Sequence, residues 1–146
     1  MTRATTIRAA ITTAIKAATP DNRATAQDVF RELDVGAVPM QSAPDRTFQL
    51  RLVAQPQRTE VNNCDTWIVE YELRLFYNGS QTGVDDRMAA DAERVWGRIE
   101  RLHETVAGVL RVDIAAAGIL DISDATVASA FSVVVQYQLD GAVVTG

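Results

Sequence analysis

The feature that most constrains this chain is the stretch Trp67–Tyr77, WIVEYELRLFY. Trp67, Val69, Tyr71, Leu73, Leu75 and Tyr77 fall on alternate positions, with Glu70, Glu72 and Arg74 between them. Successive side chains of an extended strand point to opposite faces, so this period of two gives a strand with one apolar and one charged face. Such a strand is not stable alone. The chain must supply further strands beside it and helices to cover its apolar side.

The remaining sequence supplies both. From about Thr5 to Ala18, Ile7, Ile11 and Ile15 recur at fourth positions with Ala10, Ala14 and Ala18 beside them, while Arg8, Thr12 and Lys16 face away. That is an apolar stripe on a helix, stopped by Pro20 and Asp21. Val29, Phe30 and Leu33 suggest a short helical turn, and Gly36, Pro39 and Pro44 make 34–47 irregular surface chain. Phe48–Ala54 alternates as a strand. The polar Gln55–Thr66, QPQRTEVNNCDT, reads as a long projecting hairpin loop leading into Trp67–Tyr77 rather than as a two-residue turn.

Asp85 and Asp86 open a second helix, where negative charge favours the amino terminus. Met88, Ala92, Val95, Ile99, Leu102 and Val106 form its apolar face, Asp91, Arg94, Arg98 and Arg101 its polar side, and Gly108 closes it. Strands are expected at Val109–Ala115 and Ser129–Leu139, with a short segment at Ile119–Ser123. This order predicts an α+β domain: a mostly antiparallel sheet, two helices packed on one face, and a long projecting β-hairpin. No repeat or linker divides the chain, so 1–146 reads as a single domain.

Composition narrows the function classes. Hydrophobic residues at 47% and charged residues at 23% exclude wholesale disorder. No apolar run approaches the ~18 residues of a membrane helix. Thr12, Thr13 and Lys16 interrupt the opening segment, which is therefore not expected to be a signal peptide. The single cysteine, Cys64, forms no intramolecular disulfide, and folding in a cytoplasm is the expectation. A net charge of −5 argues against stable binding to a nucleic-acid backbone.

Catalytic and metal-binding patterns do not assemble. His103 is followed by Glu104 with no second histidine at zinc spacing, and reads as a partly exposed helix residue. Cys64, between Asn63 and Asp65, has no base near it in sequence. Gly79–Gly83 lacks the Lys–Ser/Thr pair of a phosphate-binding loop and reads as a turn. Asn78-Gly79-Ser80 matches a glycosylation pattern that carries no meaning without secretion. Asp85 with Asp86, and Asp121 with Asp124, read as a helix start and a turn rather than metal carboxylates. Trp67 and Trp96 read as core or interface anchors. No catalytic, cofactor or metal site is expected.

The layout resembles the tail terminator proteins of long-tailed bacteriophages and the related neck proteins that join head to tail. The resemblance covers nearly the full chain: the helix TTIRAAITTAIKAA, the irregular stretch ending in SAPDRTFQLRL, the hairpin into WIVEYELRLFY, the helix DDRMAADAERVWGRIERL and the strand ASAFSVVVQYQLDG. It implies a structural virion protein of the tail or neck, assembled in the host cytoplasm. Such proteins form a ring, usually of six copies, on the head-proximal end of the tail tube. The ring stops tube growth and docks onto the head connector or completion protein. The resemblance implies no enzymatic activity and no cofactor, no membrane, and DNA passing through the lumen without specific binding. By the same analogy Arg46, Phe48, Gln57, Arg58, Thr59 and Glu60 are the candidates for subunit or tube contacts. The ordering entropy of a long polar hairpin agrees with this, because contacts with a neighbouring chain offset it.

Two other classes compete. A small enzyme or ligand-binding dimer, such as a thioesterase-like domain, needs a charged residue converging on a pocket against the central helix, whereas Glu70 and Glu72 lie on the polar strand face. A different ring of the tail, baseplate or head-completion apparatus shares the same sequence pattern.

Overall fold

A computed structural model describes residues 3–20, 30–33, 46–61, 64–122 and 125–138. The elements run α1 (Arg3–Ala17), β1 (Arg31–Glu32), β2 (Thr47–Val61), β3 (Cys64–Asn78), α2 (Val84–Glu100), α3 (Leu102–Thr105), β4 (Val109–Asp121) and β5 (Thr126–Gln138). The five strands form one sheet in the order β1-β2-β3-β5-β4, antiparallel except for the short β1–β2 pair. The fold is thus α+β, with two main helices on a mostly antiparallel sheet.

The alternation in β3 sets the layers. Val69, Tyr71, Leu73, Leu75 and Tyr77 are buried on the helix-covered face. Across the ladders they meet Phe48 and Leu50 of β2 and Phe131, Val133, Val135 and Tyr137 of β5. Ile7, Ile11 and Ile15 of α1 and Met88, Val95 and Ile99 of α2 close the core from above. No helix among the described residues is long and apolar enough to cross a membrane.

Several expectations need correction. Phe30 to Leu33 is not a helical turn: Arg31 N–H bonds the Arg46 carbonyl at 3.0 Å and Leu33 N–H the Phe48 carbonyl at 2.9 Å, making a strand beside β2. Pairing partners decide so short an apolar cluster, and sequence does not display them. The hairpin strands are far longer than expected, because the ladder continues from Gln57↔Ile68 to Val61↔Cys64. Residues 62 and 63, between those strands, lie outside the described residues. Backbone groups make the ladder, so polar Gln57, Arg58 and Thr59 extend it without alternating apolar side chains. Among the described residues the β3–β5 ladder ends at Thr66↔Gln138, while the β2–β3 ladder runs on through Glu60↔Asp65 to Val61↔Cys64.

Thr12, expected to face away, is buried on α1. Val109–Ala115 and the start of the expected Ile119–Ser123 segment merge into the single strand β4, which ends at Asp121 and whose register shifts between Ala116 and Gly118. The second helix ends at Glu100, and α3 follows a break at Arg101. At Gly108, φ is 84°, and a Cβ there would lie 3.0 Å from the Gln138 carbonyl oxygen, so only glycine fits the passage into β4. Of the irregular surface chain expected at 34–47, Arg46 and Thr47 are instead buried and Thr47 opens β2, because both are held against the sheet; 34–45, together with Ser123, Asp124 and Leu139, lie outside the described residues.

Candidate functional site

Two features stand out among the described residues: an interior polar cluster and the exposed sheet edges. Arg46 and Asp91 are both 0% exposed. The guanidinium donates from Nε to Asp91 Oδ2 at 2.8 Å and from Nη2 to Oδ1 at 3.1 Å, a bidentate pair. The Tyr77 hydroxyl donates to the same Oδ2 at 2.9 Å. The backbone of Arg46 is equally engaged: its N–H bonds the Phe76 carbonyl at 2.9 Å and its carbonyl accepts from Arg31. One residue therefore ties β1, β3 and α2 together. It does so with φ at 61°, a left-handed conformation that costs a non-glycine residue about 1–2 kcal/mol. Burying a lone charge is prohibitive, and here the carboxylate and phenol supply the compensation.

Asp91 had been assigned to the polar side of the second helix, and the structure overturns that. It stands three residues after Met88 and four before Val95, both buried, so its spacing places it within the apolar stripe. The spacing was the signal that identifies it. A carboxylate in an apolar stripe demands a buried cation, and Arg46 is that cation.

Of the residues proposed for contacts, Arg46 and Phe48 are wholly buried within the subunit. Their side chains hold the fold and are not presented to a neighbour. Gln57 and Arg58 are exposed, Thr59 is half-buried with its hydroxyl donating to the Thr66 carbonyl at 3.4 Å, and Glu60 pairs through its backbone with Asp65. These four are brought together along one strand. His103 is exposed on α3, its Nδ1 2.9 Å from the Glu100 carbonyl oxygen. Cys64 begins β3. Among the described residues no group of three or more His, Cys, Asp or Glu side chains is placed to hold a metal ion.

Sequence reading missed the edges. Among the described residues β1 pairs with Thr47 and Phe48 alone of β2, and β4 is the last strand on the other side. The exposed large hydrophobic residues, Leu52, Val53, Leu110 and Ile119, all lie on these two strands. Adjacent Leu52 and Val53 break the alternation of Phe48–Ala54, which was the available signal. Beside β4 runs an apolar groove of about 440 Å³, lined by Met88, Ala89 and Ala92 of α2 and by Ala116, Ile119 and Phe131 of the sheet, with Asp85 at its end. It continues along Glu93, Trp96, Gly97 and Glu100. Trp96 meets Phe131 edge to face, with centroids 6.3 Å apart and planes at 87°. A groove of this size is in the range of small-molecule sites, but few polar groups converge on it.

The chain matches no protein-family model and no curated protein.

Proposed function

We propose that this chain is a structural ring subunit at the head-proximal end of a bacteriophage tail, where it caps growth of the tail tube and joins tail to head. The observation that carries the reading is the pair of sheet edges that no further strand completes among the described residues, each with large apolar side chains open to solvent. A subunit built to be completed by neighbours has such edges, whereas an isolated domain normally blunts or covers them. The described layout of helix, long hairpin, helix and antiparallel strands agrees with the order that suggested the tail terminator and neck families. In this reading the partners are further copies of the chain, in a closed ring whose copy number the resemblance puts at about six, together with the tail tube protein and the head connector. DNA passes through the lumen without specific binding. The subunit acts by packing and carries no catalytic group or cofactor.

Tube polymerisation tests this. Tail tube protein assembled with the purified chain is expected to give shorter tubes with a ring at one end in electron micrographs. A chain that neither forms rings nor alters tube length overturns the reading. The apolar groove favours a second reading, a small ligand-binding domain. Saturable uptake of a fluorescent fatty acid by the isolated subunit, abolished by Ile119→Arg, is the result that supports it.

A further inference from the structure

We propose that the groove between α2 and β4 receives the Leu52–Val53 segment of β2 from a second copy of this chain. The partner follows from three features of the described residues. The first is complementary shape on opposite edges. Leu52 and Val53 stand 48% and 54% exposed on the β2 edge, while the groove and its lip residue Ile119, 68% exposed, lie along β4 at the other edge. Two different patches at opposite ends of one sheet make a heterologous, head-to-tail contact, the kind that closes into rings. A register shift between Leu52 and Ala54 leaves Val53 without a ladder partner, and a shift between Ala116 and Gly118 does the same for Ala117 on β4. The contact is therefore side chains seated in a groove rather than one sheet continued into the next.

The second feature is charge. The groove carries Asp85, Glu93 and Glu100 along its lining and no basic residue. Next to Leu52 and Val53 the β2 edge carries Arg51, and the strand's one acidic residue, Glu60, stands near its far end. An acidic groove and a basic edge steer the two surfaces together and disfavour groove against groove or edge against edge.

The third feature is Gly97. Glycine inside a helix lowers its stability relative to alanine, and something must require it. Nothing among the described residues does, because a Cβ at Gly97 would meet none of their atoms within 4 Å. Gly97 lines the groove beside Trp96, where an added methyl would narrow the space left for an incoming chain.

The proposal takes its occupant from the ring reading above, and the test separates the two. In a Cys64→Ser background, Val53→Cys is placed in one preparation and Ile119→Cys in another. Oxidation of the mixture is expected to give a disulfide-linked dimer, while each preparation alone gives none. Both positions are exposed, so the variants fold, as circular dichroism verifies. Gly97→Ala is expected to leave the subunit folded and more heat-resistant, yet to weaken association measured by sedimentation roughly tenfold, as for loss of an interface anchor. Dimers from Val53→Cys alone overturn the proposal by showing edge-to-edge pairing. An oligomer without the mixed cross-link overturns the interface and leaves the ring intact. A chain monomeric at every concentration, giving no cross-link, overturns both. A mixed cross-link in a protein that never caps tubes sustains the interface and removes the tail assignment.

Discussion

Replacing Asp91 with alanine is the most demanding perturbation of this fold. The substitution removes the acceptor of two guanidinium bonds at 2.8 and 3.1 Å and of the Tyr77 hydroxyl at 2.9 Å. Arg46 stays in place, held by its backbone bonds to Phe76 and Arg31, with its side chain 0% exposed. Breaking a buried pair from one side costs about 3–5 kcal/mol, and a buried hydroxyl deprived of its acceptor about 1–3 more. The two losses share one site and do not simply add, but about 4 kcal/mol is a lower expectation. Domains of this size hold roughly 5–15 kcal/mol in all. Asp91→Ala is therefore expected to lose most of its stability in urea titrations followed by Trp67 and Trp96 fluorescence. The reverse experiment sharpens the argument. Arg46→Met with Asp91→Leu and Tyr77→Phe removes all three of these polar side chains at once, and such replacements are often neutral or stabilising. The triple variant should unfold at a higher urea concentration than Asp91→Ala alone. If Asp91→Ala shifts stability by less than about 1 kcal/mol, a typical value for single substitutions, the cluster is not the latch described.

Three further expectations are cheaper to test. Burial raises the Tyr71 hydroxyl pKa above its ordinary 10.0, against a smaller opposing pull from Arg8, and burial alone raises Tyr137. Both groups hold their protons more tightly folded than unfolded, so their stability contribution is intact below about pH 10 and is lost as pH rises through the folded values; urea midpoints should fall above pH 10, less steeply in Tyr71→Phe. Val95→Asp places an unpaired charge at a wholly buried position of α2 and should cost several kcal/mol, whereas exposed Arg98→Ala should stay within about 0.5 kcal/mol; equal thermal shifts from both would mean the helix face is misassigned. With 19 acidic against 14 basic side chains, the protein should not retard duplex DNA at physiological salt, and micromolar, steeply salt-dependent binding would contradict that.

Periodicity made the frame of this fold legible. The period-two pattern of Trp67–Tyr77 and the recurring isoleucines of α1 located elements whose buried faces are Val69 to Tyr77 and Ile7, Ile11 and Ile15. What it could not locate was pairing. Arg31 and Glu32 form a strand only because the start of β2 lies alongside, and the extent of the hairpin ladder depends on backbone bonds that polar side chains do not advertise. Arg46 illustrates a different limit. Its sequence context suggested a surface contact, yet its role depends on a carboxylate 45 residues away, brought to it by the packing of α2 over β3. The edge residues were hidden for a third reason. Leu52, Val53 and Ile119 look like any other apolar strand residues until the pairing shows that β1 reaches only the start of β2 and that β4 is outermost among the described strands.

That strand order also limits how strongly two copies can hold each other through the proposed contact. Burying a Val, Leu or Ile side chain fully is worth about 1.5–3 kcal/mol, and Leu52, Val53 and Ile119 begin only about half to two-thirds exposed. Their combined gain is then roughly 3–5 kcal/mol per contact on that scale, close to the low end of the ~4–15 kcal/mol that association costs. Electrostatic attraction between Arg51 and the acidic groove speeds encounter more than it deepens binding. A single contact of this strength leaves an open dimer barely populated. Closure changes the balance, because the last subunit of a ring makes its second contact within an assembly already held together, at high effective concentration and without a second loss of translational freedom. Weak contacts between opposite edges therefore favour free subunits and closed rings over open chains, and a template such as the end of a tube, by fixing the first subunits in register, lowers the concentration at which rings form.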